Sequence, residues 1–116
     1  MLANLGDHIL VDIERYDMDK NLPLFNGLLG PLPEQILENP GEDPNKYAVK
    51  IVGKNNIPKR ALISVKEINK TLVGRPQLSN TVGASANLAV LIARKIALGG
   101  PVRSGRKIFK LEKILK

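Results

Sequence analysis

His8-Ile9-Leu10-Val11-Asp12-Ile13-Glu14-Arg15-Tyr16 is the run from which the fold is read. Ile9, Val11 and Ile13 fall at alternate positions, while His8, Asp12 and Glu14 occupy the positions between them, with Leu10 among the latter. A period of two is the signature of a strand with one face on a core and one in water. The pattern predicts a strand over 8–16 with its charged face exposed.

Upstream, Met1-Leu2-Ala3-Asn4-Leu5-Gly6-Asp7 lacks the basic start and long apolar run of a secretory leader. Downstream, Pro23, Gly27, Gly30, Pro31, Pro33, Pro40, Gly41 and Pro44 interrupt any long element, so 17–45 reads as a structured connector. One short helix fits within it, near 33–38, opened by Pro33 and closed before Pro40. Leu22, Leu24, Phe25, Leu28, Leu29 and Leu32 tether this connector to the core.

Tyr47 to Val52 reads as a second strand, Gly53-Lys54-Asn55-Asn56 as its turn, and 60–63 as a third strand completing a hairpin. Ser64-Val65-Lys66-Glu67 matches a capping box, in which the Ser hydroxyl and the Glu carboxylate each satisfy a free amide at a helix start. With Val65, Ile68 and Leu72 as its stripe, a helix is predicted near 65–73, ended by Gly74 and Pro76. A longer helix is predicted near 80–98, capped by Asn80 or Ser85 and stopped by Gly99-Gly100-Pro101. Leu88, Leu91, Ile92 and Ile96 make one apolar stripe on it. Val82, Ala86, Ala89, Ala93 and Ala97 make another, so the helix is expected to be buried across a sheet. Residues 101–111 suggest a basic β-hairpin turning at Ser104-Gly105, with 106–116 also compatible with a helix through Ile108, Leu111 and Leu115. The expected class is α+β: a small, mostly antiparallel sheet with helices packed on it. A winged helix is the minor alternative, disfavoured because 88–93 leaves no polar recognition face.

The 116 residues suit one domain. Apolar residues make up 43% and charged residues 25%, which excludes a disordered chain. There is no Trp, and only two Phe and two Tyr, so the core is aliphatic. Without cysteine, disulfides and thiolate metal sites are impossible; this suits a cytoplasmic location. The longest apolar run, Leu88 to Ala93, is far too short for a membrane span.

Charge is unevenly divided. The formal net charge is +7, yet 1–58 holds five cations against nine anions, a balance of −4, and 59–116 holds thirteen against two, a balance of +11. Such a field attracts polyanions. The candidate nucleic-acid contacts are Lys66, Lys70 and Arg75 in one cluster and Arg103, Arg106, Lys107 and Lys110 in the expected hairpin, with Lys59, Arg60 and Lys113 nearby. Phe109 is the one aromatic residue of this half, so contact with the backbone of a duplex or folded RNA is favoured over base stacking.

Ser79, Asn80, Thr81, Gly83 and Ser85 precede or open the long helix, whose free amides suit a phosphate or carboxylate. Simple capping is the plainer reading. The single His8, with Asp12 and Glu14 on its strand face, does not form a metal site, because alternate strand positions are ~6.5–7 Å apart. No serine is placed near His8 for nucleophilic catalysis. The serines have capping or turn roles, and no cofactor fingerprint is present. Three functions remain: a non-enzymatic nucleic-acid-binding protein, an interaction subunit or homo-oligomer assembling by acidic and basic complementarity, and a small-molecule or phosphate-ligand protein, or an enzyme, acting at 79–87.

Overall fold

The computed structural model describes residues 1–30 and 44–115. It is α+β, with a three-stranded antiparallel sheet in the order β1-β2-β3. The strands are β1 (Leu2–Leu5), β2 (His8–Ile13) and β3 (Gly105–Lys110). The helices are α1 (Pro44–Val52), α2 (Lys59–Lys66) and α3 (Ser79–Ala97), with short 3-10 turns at Leu24–Gly27, Lys54–Asn56 and Leu111–Leu115. The helix expected near 33–38 lies outside the described residues.

β1 and β2 form a tight hairpin in which Leu5 pairs with His8, leaving Gly6-Asp7 as the loop. Gly6 adopts φ 65°, the left-handed conformation that a primed hairpin turn demands and that glycine adopts without steric cost. On the other side β2 pairs with β3, Leu10 opposite Ile108 and Asp12 opposite Arg106. Alternation then assigns the faces. One carries Asn4, Ile9, Val11, Lys107 and Phe109; the other carries Leu5, His8, Leu10, Asp12, Arg106, Ile108 and Lys110.

α3 packs on β1 and β2, and the Asn4 amide on the first face reaches Gln77 Oε1, just before α3, at 3.4 Å. The second face is covered from the other side. His8 Nδ1 donates to Asn56 O at 3.0 Å, and Arg106 Nη2 donates to Ile51 O at 2.5 Å. With both faces of β2 covered, Ile9, Leu10, Val11 and Asp12 are all buried. Each aliphatic side chain so buried contributes ~1.5–3 kcal/mol. The expected one-sided strand is therefore a central, two-sided one, and it stops at Ile13 rather than Tyr16.

Four further expectations are corrected. Residues 47–52 are helical, not a strand. Gly53, at φ 80°, ends α1 as a C-terminal glycine, with its amide bonded to Val49 O at 2.9 Å. Residues 60–63 lie inside α2, which starts after Pro58. The capping box does not form: Ser64 sits in the last turn of α2 and its hydroxyl donates to Arg60 O at 3.1 Å. Beyond Glu67 the chain folds into a compact turn, not a helix to 73. The amides of Lys70, Thr71 and Leu72 all reach Glu67 O, and Thr71 donates to the Glu67 carboxylate at 3.0 Å.

α3 matches its expected span, but its first helical residue is Ser79, and Leu78, at the capping position, makes no side-chain cap. At its end a Cβ on Gly100 would meet Lys95 O at 2.9 Å, so this closing turn excludes a side chain. Of the two α3 stripes expected to be buried, Leu88, Ile92, Ile96 and Ala89 are half-buried, while Leu91, Val82, Ala86, Ala93 and Ala97 are exposed. Thr81 and Ser85 are buried against the sheet, whereas Val82, Val90, Leu91 and Leu98 are exposed. Residues 101–104 form a loop, so the basic hairpin and any wing built from it are absent; β3 instead joins the sheet through β2. Among the described residues no helix is long and apolar enough to cross a membrane.

Because Ile9 is completely buried, Ile9→Ala should cost ~2–5 kcal/mol in urea denaturation. Val90→Ala, on the exposed side of α3, should change stability by less than ~0.5 kcal/mol.

Candidate functional site

Seven basic residues were singled out by the sequence, and the fold gives them different surroundings. Lys66 ends α2, Lys70 lies in the Glu67-centred turn and Arg75 on the way to α3; all three are exposed. Arg103 is exposed in the loop before β3. That loop is pinned to the end of β2: the Arg15 amide donates to Ser104 Oγ at 2.9 Å and Arg15 Nη1 to Val102 O at 3.0 Å. On β3 itself, Lys107 is exposed on the α3 side of the sheet, while Arg106 and half-buried Lys110 lie on the opposite side. The cations do not form one ribbon.

Arg106 is committed to the interior. Its Nε lies 2.8 Å from Oδ2 of Asp12, whose side chain is fully buried. This is an ion pair by distance, although the two atoms fall outside hydrogen-bond alignment. Nη2 of the same guanidinium holds Ile51 O. The Asn26 side-chain amide donates to the other Asp12 oxygen, Oδ1, and the Asn26 backbone amide to Glu14 Oε1 at 3.2 Å. Asn26 and its neighbour Phe25 both have φ 52°. Left-handed backbone costs a bulky residue of order 1–3 kcal/mol, so the anchorage of this turn on Asp12 and Glu14 must offset it. The signal available in the sequence was Asp12 itself, a carboxylate in the middle of an aliphatic strand.

Arg15 makes a second pair, with both Asp17 oxygens at 2.7 and 2.8 Å. The hydrogen bond from Arg15 lowers the Asp17 pKa below its ordinary value. A depressed carboxylate contributes stability that is present at neutral pH and lost as pH falls through its folded-state pKa. The site is exposed, so the contribution is small. Arg15 and Arg103, with Met18 and Gly99 to Val102, line a shallow cleft.

In contrast to Arg106, the side chains of Lys66, Lys70, Arg75, Arg103 and Lys107 form no ion pair or hydrogen bond among the described residues. The candidate anion residues do not converge. Ser79, Asn80 and Gly83 are exposed, whereas Thr81 and Ser85 turn into the sheet. Ser85 donates to Val82 O at 2.9 Å, and Thr81 Oγ1 is buried with no partner among the described residues.

What the sequence reading missed is apolar surface. Among the described residues, the buried hydrophobic side chains are Leu5, Ile9, Leu10, Val11 and Leu29. Val73 is 102% exposed at the Glu67-centred turn, and Val90 is 67% exposed on α3. Val82, Ala86, Val90, Ala93 and Ala97 follow one another along the outward side of α3 and are all exposed. Four of these, Val82, Ala86, Ala93 and Ala97, belong to the second apolar stripe that the sequence shows, whereas Ala89 of that stripe is half-buried and Val90 lies outside it.

An uncharacterised protein of Mycobacterium tuberculosis is 33% identical to this chain over 107 residues, covering 91% of the chain. The chain spans only 15% of the length of that relative. No family model matches the chain, and no solved structure does.

Arg106→Ala leaves Asp12 buried without its counter-charge and should cost ~3–5 kcal/mol in thermal or urea unfolding. Arg103→Ala, at an exposed position, should stay within ~0.5 kcal/mol. Equal losses from the two would remove the structural role assigned to Arg106.

Proposed function

We propose that this chain is an interaction module, one whose outward apolar faces are covered by protein surface in a larger assembly. The observation that carries this is the exposed stripe Val82, Ala86, Val90, Ala93 and Ala97 on α3. Contiguous apolar surface on a soluble protein marks an interaction site far more often than scattered single residues do. The dimensions agree: the radius of gyration is 15.9 Å, against about 13 Å for a compact domain of this length. The extents of 47 × 44 × 21 Å describe a slab with little interior. The mycobacterial relative, in which the matching stretch is a small part of a long chain, supports the same reading.

The test is direct. The isolated protein should enhance the fluorescence of an apolar dye such as ANS, and Val90→Asp should weaken that signal without lowering the melting temperature. Sedimentation velocity should show weak association at high protein concentration that persists in 0.5 M salt and lessens in Val90→Asp. A strictly monomeric protein that leaves the dye dark would refute the reading.

A second reading, polyanion binding, rests on the unpaired state of Lys66, Lys70, Arg75, Arg103 and Lys107 among the described residues. Neutralising phosphates with these side chains makes affinity fall with salt, with a log–log slope of about −0.9 per contact on duplex DNA. Anisotropy titrations of DNA and RNA duplexes should show this slope and a loss on the double change Lys66→Glu and Lys70→Glu. Absence of micromolar binding at low salt to either duplex excludes it.

A further inference from the structure

β3 is an edge strand. In the order β1-β2-β3 its inner side is bonded to β2, and among the described residues nothing pairs with its outer side. A six-residue edge carries a row of free amides and carbonyls spaced for another strand. Natural proteins usually blunt such an edge with a bulge, a proline or a covering element. Gly105–Lys110 contains no proline and pairs with β2 in unbroken one-to-one register.

The side chains on this edge have one sign. Gly105–Lys110 contains Arg106, Lys107 and Lys110 and no carboxylate, and Arg103, which precedes it, forms no ion pair among the described residues. Arg106 is turned to Asp12, but Lys107 stands exposed. Phe109, 37% exposed, lies on the same face two residues further on. Lysines on an edge discourage indiscriminate pairing, and opposite charges across a strand pair stabilise it while like charges oppose it. A seam between two copies of β3 would bring Lys107 and Lys110 of each together with no carboxylate on either strand to balance them. The edge is therefore closed to its own kind and selective for an extended segment carrying carboxylates.

We infer that the outer edge of β3 receives an acidic, extended segment of a partner protein as a fourth, antiparallel strand. A carboxylate lies opposite Lys107, an apolar side chain opposite Phe109 and a second carboxylate opposite Lys110. Backbone hydrogen bonds supply the attachment, and the side chains choose the sequence. This names the partner chemistry for the interaction-module reading and rests on it.

Read antiparallel, those requirements give Glu-Val-Thr-Glu. The probe is the acetylated, amidated, fluorescein-labelled octapeptide Thr-Val-Glu-Val-Thr-Glu-Val-Thr, titrated by anisotropy with the full chain. Three comparisons accompany it: the same peptide with Lys for Glu, the acidic peptide N-methylated at alternate residues, and the Lys107→Glu protein, its folding verified by thermal melt. The acidic peptide should bind about tenfold more tightly than the lysine peptide, as two reversed cross-strand charge pairs imply. Lys107→Glu should narrow or invert that preference, N-methylation should abolish binding, and amides of β3 should exchange more slowly in the complex. Equal binding of the N-methylated peptide, equal binding of the lysine peptide, or no binding at millimolar peptide overturns the inference. So does an oligonucleotide that binds through Lys107 where the peptide does not. Dye binding that is lost in Val90→Asp, alongside a failed peptide titration, removes this inference and leaves the interaction module standing.

Discussion

The contact between Asp12 and Arg106 holds the rest of the molecule to its arrangement. A carboxylate enclosed in the middle of β2 is tolerable only while a cation and hydrogen-bond donors face it, and each of them comes from a different part of the chain. Arg106 fixes β3 beside β2, Ile51 brings the end of α1 over the same guanidinium, and Asn26 ties the 3-10 turn to the other carboxylate oxygen. One polar centre thus orients three elements. In a fold whose hydrophobic interior is largely β2 and the hairpin beside it, such a centre specifies register where aliphatic packing alone would permit slippage.

The α+β class, the strand at 8–13, the long helix and the strand character of 105–110 were legible, because each rests on a pattern of sufficient length. The errors cluster where one local signal serves two structures. Gly53-Lys54-Asn55-Asn56 was read as a hairpin turn, yet glycine followed by polar residues equally ends a helix, and Tyr47–Val52 is too short for periodicity to arbitrate. Ser64 and Glu67 have capping-box spacing, but a serine in a last helical turn can bond back to the carbonyl four residues earlier, as it does here. β1 went unread although Leu2 to Leu5 and His8 to Val11 flank a Gly-Asp pair, a hairpin signal in its own right. Four residues with a central Ala-Asn carry too little alternation to announce themselves.

The basic residues are distributed differently from their spacing in the sequence for a more general reason. Arg103, Arg106, Lys107 and Lys110 are neighbours in sequence, and proximity in sequence was taken as proximity on a surface. A strand sends successive side chains to opposite faces, so the pairing of β3 with β2 separates Lys107 from Arg106 and Lys110 and turns Arg106 inward. The division of charge between the halves is likewise realised partly inside the fold, where the acidic first half meets the basic second half at Asp12. What stays outside is a surface both cationic and apolar, which suits protein partners as well as polyanions.

The register of the sheet also bears on how the molecule reaches its native state. β2 acquires one neighbour across a two-residue loop and the other from the far end of the chain, since His8 pairs with Lys110. The first pairing closes almost no loop, and the second joins residues about a hundred positions apart. Loop-closure entropy grows only slowly with length, but contacts of such separation slow folding steeply. During synthesis the hairpin emerges early and waits, with one side of its central strand and the Asp12 carboxylate uncovered, until the closing strand is made. That interval is when the chain is most open to pairing with the wrong strand, and a waiting carboxylate in the seam opposes such capture by apolar segments.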